Sequence, residues 1–193
     1  MDTGPCVKHG ANAGMTATLT MNTRTALTAL LCTLPLAAHG QAHEHGAARL
    51  DIAIEAARLS LQLEAPLEAL FGFERAPRNA AERQLVDAGI ARLKAADRLF
   101  KLDPAAGCVS QRTELNSAAL QLGAAATPAP AEHADLDATF EFTCKDTSKL
   151  GAIEVGLFEA FTRLQRIDVQ IATPKGQFKR SLKRPMTRIS LLR

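Results

Sequence analysis

From His133 to Cys144 the sequence reads HADLDATFEFTC, an alternation with a period of two. Leu136, Ala138, Phe140, Phe142 and Cys144 fall on one side of such a segment. His133, Asp135, Asp137, Thr139, Glu141 and Thr143 fall on the other. Successive strand residues point to opposite faces, so this pattern specifies a half-buried strand with one apolar and one wet surface. A helix could not keep those sets apart.

The same period recurs upstream. Leu50, Ile52 and Ile54 alternate with Arg49, Asp51 and Glu55; Leu59, Leu61 and Leu63 alternate with Ser60, Gln62 and Glu64. Two strands joined at Ala56-Ala57 read as a β-hairpin, although that pair is not a favoured turn. Pro66 ends the second strand. In FGFERAPRNAAERQLVDAGIARLKAADRLFKL, Asn79 can cap a helix and Glu82 three residues on completes a capping-box-like pattern. Leu85, Val86, Ile90, Leu93 and Phe100 form its apolar stripe. Gly89 inside it costs up to about 1 kcal/mol against alanine.

Cys108 to Leu122 is strand-like but poorly patterned, and GAAATPAPAEH, with its centre at residues 123–132, is a Pro/Ala-rich loop. After Cys144 come a short strand over 152–155 and a short amphipathic helix through Leu157, Phe158, Phe161 and Leu164. The strand RIDVQIAT, a turn at Lys175-Gly176 and one or two further strands complete the chain. Strands with hairpin connections and two separated helices imply an α+β fold, one domain with a largely antiparallel sheet.

The first forty residues follow another logic. Met21 to Arg24 is a short basic start, Ala26 to Ala38 is apolar, and Gly40 and Ala42 are small residues at −3 and −1 of a cut. This is the layout of a secretory signal peptide. The apolar run is too short for a membrane span, which needs about 20 residues. We therefore expect a signal peptide over 1–42, with Met15 and Met21 as alternative starts, and an exported, periplasmic domain over 43–193. Export leaves Cys108 and Cys144 as one even pair, which an oxidising compartment would bridge. Closing that loop is worth roughly 4 kcal/mol. The rival, zinc ligation, lacks a second cysteine in CxxC reach of either.

Net charge is +3 for the whole sequence and lower once Lys8, Arg24 and Asp2 are removed. There is no tryptophan or tyrosine. Nucleic acid is therefore not expected as a partner. Catalysis is not expected either: HEHG is not HExxH, and no GxSxG or phosphate-binding glycine loop occurs.

Three histidines survive the cut. His43 and His45 lie two residues apart, on the side that an extended register carries on to Asp51 and Glu55. His133 opens another strand, whose wet face holds Asp135 and Asp137. Imidazoles suit zinc, and three of them with a carboxylate or a water complete a tetrahedral site. Cleavage near residue 42 would also put histidine third from a free amine, a nitrogen set that suits Cu(II) or Ni(II). The bland alternative is that these histidines are only wet surface. Finally, Lys175, Lys179, Arg180, Lys183, Arg184, Arg188 and Arg193 form a basic segment without an acid. It reads either as a guarded sheet edge or as a docking hairpin of an interaction domain without metal.

Five segments in order, HEHGAARLDIAIE, GFERAPRNAAER, AAGC, HADLDATFEFTC and LFEAFTRLQRIDVQIATPKGQFKRSL, resemble the ZrgA-like periplasmic zinc-binding proteins, once known only as a domain of unknown function. The resemblance runs from His43 to Leu192. It implies a secreted accessory protein that binds zinc and helps supply a zinc importer. The family's HxHG falls on His43, His45 and Gly46, its strand-preceding histidine on His133, and its cysteines on Cys108 and Cys144. The middle loop departs from the pattern: many relatives carry a run of His and Asp where this chain has GAAATPAPAEHADLD. One three-histidine zinc site is thus expected, with Asp135 or Asp137 assisting, rather than a multi-ion store.

Overall fold

The computed structural model describes residues 46–123 and 134–191. Its strands are β1 (Ala47–Glu55), β2 (Arg58–Pro66), β3 (Phe100–Leu102), β4 (Cys108–Asn116), β5 (Asp135–Cys144), β6 (Ala152–Val155), β7 (Arg166–Thr173), β8 (Gly176–Lys183) and β9 (Arg188–Ser190). The helices are α1 (Leu67–Phe71), α2 (Ala80–Lys94), α3 (Ala96–Leu99) and α4 (Leu157–Ala160). Six strands form one sheet in the order β4-β5-β2-β1-β7-β8, and three short ones form a second, β3-β6-β9. The class is the expected α+β, with two more short helices than the sequence suggested.

The period-two segments became the centre of the large sheet. Leu50, Ile52, Leu59, Leu61, Leu63, Leu136, Phe140 and Phe142 are all buried, while their alternates are wholly or partly exposed. An antiparallel sheet covered on one face gives this pattern. Phe100 of β3 meets Phe140 edge-on at 4.9 Å, which brings the small sheet onto that apolar face. Phe71 of α1 meets Phe161 in the same manner at 6.2 Å.

Hairpin β1–β2 forms in the expected register, Glu55 opposite Arg58. Ala56 adopts a φ of 48°, a region that alanine rarely enters. Neighbours hold the turn: the Thr147 hydroxyl donates to the Ala56 carbonyl at 2.5 Å, and the Cys144 N–H donates to Ala57 at 2.7 Å. The exception to antiparallel pairing is β1 with β7, which run parallel from Ala47↔Arg166 to Ala53↔Ala172.

Helix α2 begins as expected, with the Asn79 side chain accepting from the Glu82 N–H at 2.9 Å. Glu82 accepts in turn from the Arg78 N–H at 2.6 Å and from both guanidinium arms of Arg75, at 2.7 and 2.9 Å. The Arg75 bond, then that from Arg78, holds the Glu82 carboxyl at about 2, well below its ordinary value. The apolar stripe differs from the expectation at both ends. Leu85 stands 43% exposed, and Phe100 lies beyond the helix in β3. Gly89, not Leu85, shares the buried face with Val86 and Leu93, because the Phe71 ring packs against its backbone.

Cys108 and Cys144 form a disulfide between directly opposed residues of β4 and β5. Such a bond fits an exported protein. Beyond Asn116 the segment read as strand instead turns back on itself, closed by a bridge between Ser117 and Leu122. The following hairpin turns at Pro174-Lys175, and Gly176, at φ 128°, already belongs to β8. No helix among the described residues is long and apolar enough to cross a membrane.

Candidate metal-binding end of the large sheet

Strands β1 and β5 both pair antiparallel with β2, so they run in the same direction and begin at the same end of the sheet. One strand lies between them, which separates their axes by about 10 Å. The residue leading into each is tied down. The Gly46 carbonyl accepts from the N–H of Gln165 at 2.7 Å and of Arg166 at 3.1 Å, and the Ala134 carbonyl accepts from the Leu67 N–H at 2.8 Å.

Acidic side chains gather on the wet face just inside this end. Glu64 of β2 stands directly opposite Asp137 of β5. Like charges opposed across a ladder repel. Partial burial, then Glu64 and then Asp135 push the Asp137 carboxyl above its ordinary range. Arg49 is Glu64's partner on β1, yet its guanidinium is directed to Asp51, at 2.9 and 3.1 Å. Asp135 has a buried Oδ1 without a hydrogen-bond partner among the described residues. A shallow concavity of about 220 Å³ opens here, lined by Arg49, Asp51, Gln62, Glu64, Asp137 and Thr139 among others. Glu64 and Asp137 thus crowd one side of this concavity, while Arg49 and Asp51 form their own ion pair on the other.

Of the expected ligands, Asp135 and Asp137 are at this end, and His43, His45 and His133 lie outside the described residues. Among the described residues no three His, Cys, Asp or Glu side chains come together as a metal site. One element of the expectation needs correction. Gly46 has φ +72°, in the left-handed region, where a Cβ would also press on the Arg163 carbonyl at 3.1 Å. The strand alternation therefore starts at Ala47 and does not carry back through Gly46. Glu64 joins this end without any local signal, because its place beside Asp137 depends on a register between strands far apart in the chain.

The basic segment divides. The Arg184 guanidinium is turned inward, donating to the carbonyls of Leu164 (2.8 Å), Phe161 (3.1 Å) and Phe158, over whose ring it lies. Arg188 pairs with Glu154 at 2.8 Å. Both are exposed, yet each already has partners within the chain. Arg193 lies outside the described residues.

Residues 42–191 match the model of one protein family, described as ZrgA family zinc uptake protein. No curated protein matches the chain.

Proposed function

This chain belongs to the ZrgA family of zinc uptake proteins, and from that premise we propose that it is an exported, periplasmic domain over residues 43–193. There it holds one zinc ion through His43, His45 and His133 and hands it to a component of a zinc importer. The observation that carries this reading is the common end of β1 and β5. His45 directly precedes the anchored Gly46, and His133 directly precedes the anchored Ala134. The two histidine-bearing segments thus join the sheet one strand apart. Asp135 or Asp137 supplies a fourth donor and offsets the charge of the ion.

Zinc is cargo here, not a resident catalyst. Neutral imidazoles at an exposed sheet end allow exchange, and protonation releases the ion below about pH 6. A terminal Cu(II) site would require the free amine; one extra residue before His43 would destroy it and barely affect the zinc site.

The test is calorimetric titration of the exported chain with zinc, beside the variant carrying His43→Ala, His45→Ala and His133→Ala. One ion bound by the parent and none by the variant is expected. Equal heats from both would refute the assignment.

A further inference from the structure

The two edges of the large sheet are built differently. Edge strand β4 is broken by a register shift between Ser110 and Arg112, is cross-linked to its neighbour, and pairs Arg112 with Glu114 at 3.1 Å. A bulge and a cross-link hinder a further strand on β4. Edge strand β8 has neither, and its lysines repel only a strand that brings no acid to meet them. Its register on β7 runs without interruption from Arg166↔Lys183 to Thr173↔Gly176.

The main chain of β8 is open where an incoming strand would meet it. Arg184 N–H donates to the Gln165 carbonyl, at 3.4 Å, which makes the next pair, Arg166 and Lys183, a non-hydrogen-bonded one. Antiparallel alternation then directs the main-chain groups of Lys179, Ser181 and Lys183 away from β7. The Lys179 carbonyl accepts from the Arg180 guanidinium, and the Lys183 carbonyl from the Met186 N–H. That leaves three N–H groups and the Ser181 carbonyl facing outward.

Charge specifies what would pair there. Lys175, Lys179, Arg180 and Lys183 enter no ion pair among the described residues, and no acid occurs from Pro174 to Leu191. Lys179 and Lys183 share the wet face with Ser181 between them, while Phe178 and Leu182 turn to the apolar side, with Arg180 stacked 4.7 Å from the Phe178 ring. We propose that β8 is a docking strand for an extended acidic segment of a partner protein, which adds a seventh strand to the sheet. Main-chain bonds supply affinity; acidic residues opposite Lys179 and Lys183, with apolar residues between, supply specificity. This assignment is independent of zinc.

The test uses the ¹⁵N-labelled exported chain and a short peptide alternating glutamate with valine. Binding should shift the amide resonances of Lys179, Ser181 and Lys183 and leave β4 unmoved. Lys179→Glu with Lys183→Glu should weaken it about tenfold or more, from two lost ion pairs and added repulsion. Ser181→Pro, which removes an outward N–H at an edge that tolerates proline, should weaken it as well. An acidic peptide with proline at alternate positions should not bind. Equal binding of that peptide would mean charge attraction without strand pairing, and would overturn the proposal. So would shifts centred on β4, or binding to phosphatidylglycerol vesicles but not to the peptide, the result expected of a membrane-facing surface.

Discussion

Replacing Gly89 with alanine sets two forces directly against each other. Gly89 lies inside α2, where alanine is favoured by roughly 0.8–1 kcal/mol through lower backbone entropy in the unfolded chain. The added Cβ, however, would sit 2.3 Å from Cε1 and 2.9 Å from Cζ of Phe71, and 3.4 Å from Cε1 of Phe161. Phe71 is 5% exposed and is enclosed by Phe73 and Phe161, each at 6.2 Å between centroids, so its ring has little room to withdraw. Overpacking of that kind costs about 1–3 kcal/mol. The net expectation is a loss of about 1 kcal/mol, read as a lower urea midpoint at unchanged slope by circular dichroism. With Phe71→Leu in the background the clash disappears, and Gly89→Ala should become neutral or stabilising. A coupling of about 1–2 kcal/mol between the two sites is the quantitative statement. A higher midpoint for Gly89→Ala in the parent would refute the reasoning, because propensity would then outweigh contact.

Two other outcomes follow from the polar network. Arg184→Ala should cost about 2–3 kcal/mol in urea denaturation, because three carbonyls lose a charged donor, and Arg184→Lys should recover only part of it, lacking the planar fork. Glu82 has a depressed carboxyl, so its contribution is fully present above its ordinary value near 4.5 and is lost as pH falls toward about 2. The stability difference between the parent and Glu82→Gln should shrink across that window in parallel denaturations, and Arg75→Met should flatten the trend.

What was legible in the sequence was whatever depends on neighbours along the chain. The alternation of β5, the Asn79 cap and the extent of β7 need only local periodicity and side-chain chemistry. The boundary errors are local too: Phe100 continues the helical spacing of α2, yet Ala95 and the short α3 redirect the chain before it. Long-range pairing left no mark. Nothing in Ala47–Ala53 announces Arg166–Ala172 as its partner, and both segments would suit other neighbours equally well. The acidic end suffered from the same blindness. Asp135 and Asp137 were visible as one strand's wet face, whereas Glu64 becomes their neighbour only through the β2–β5 register. Arg184 shows the converse: composition placed it in a basic surface segment, and it is exposed there, yet its guanidinium is bound to three main-chain carbonyls that no local pattern announces.

The parallel pairing of β1 with β7 also governs the order of assembly. Hairpins β1–β2 and β7–β8 can each form as soon as their own residues are available, but the ladder between them joins opposite ends of the domain. Loop closure over that span comes late and slowly. Until β7 arrives, β1 has an open side and the sheet lacks a third of its strands. The β1–β7 seam is therefore the last part of the large sheet to close, after β4, β5, β2 and β1 have paired among themselves.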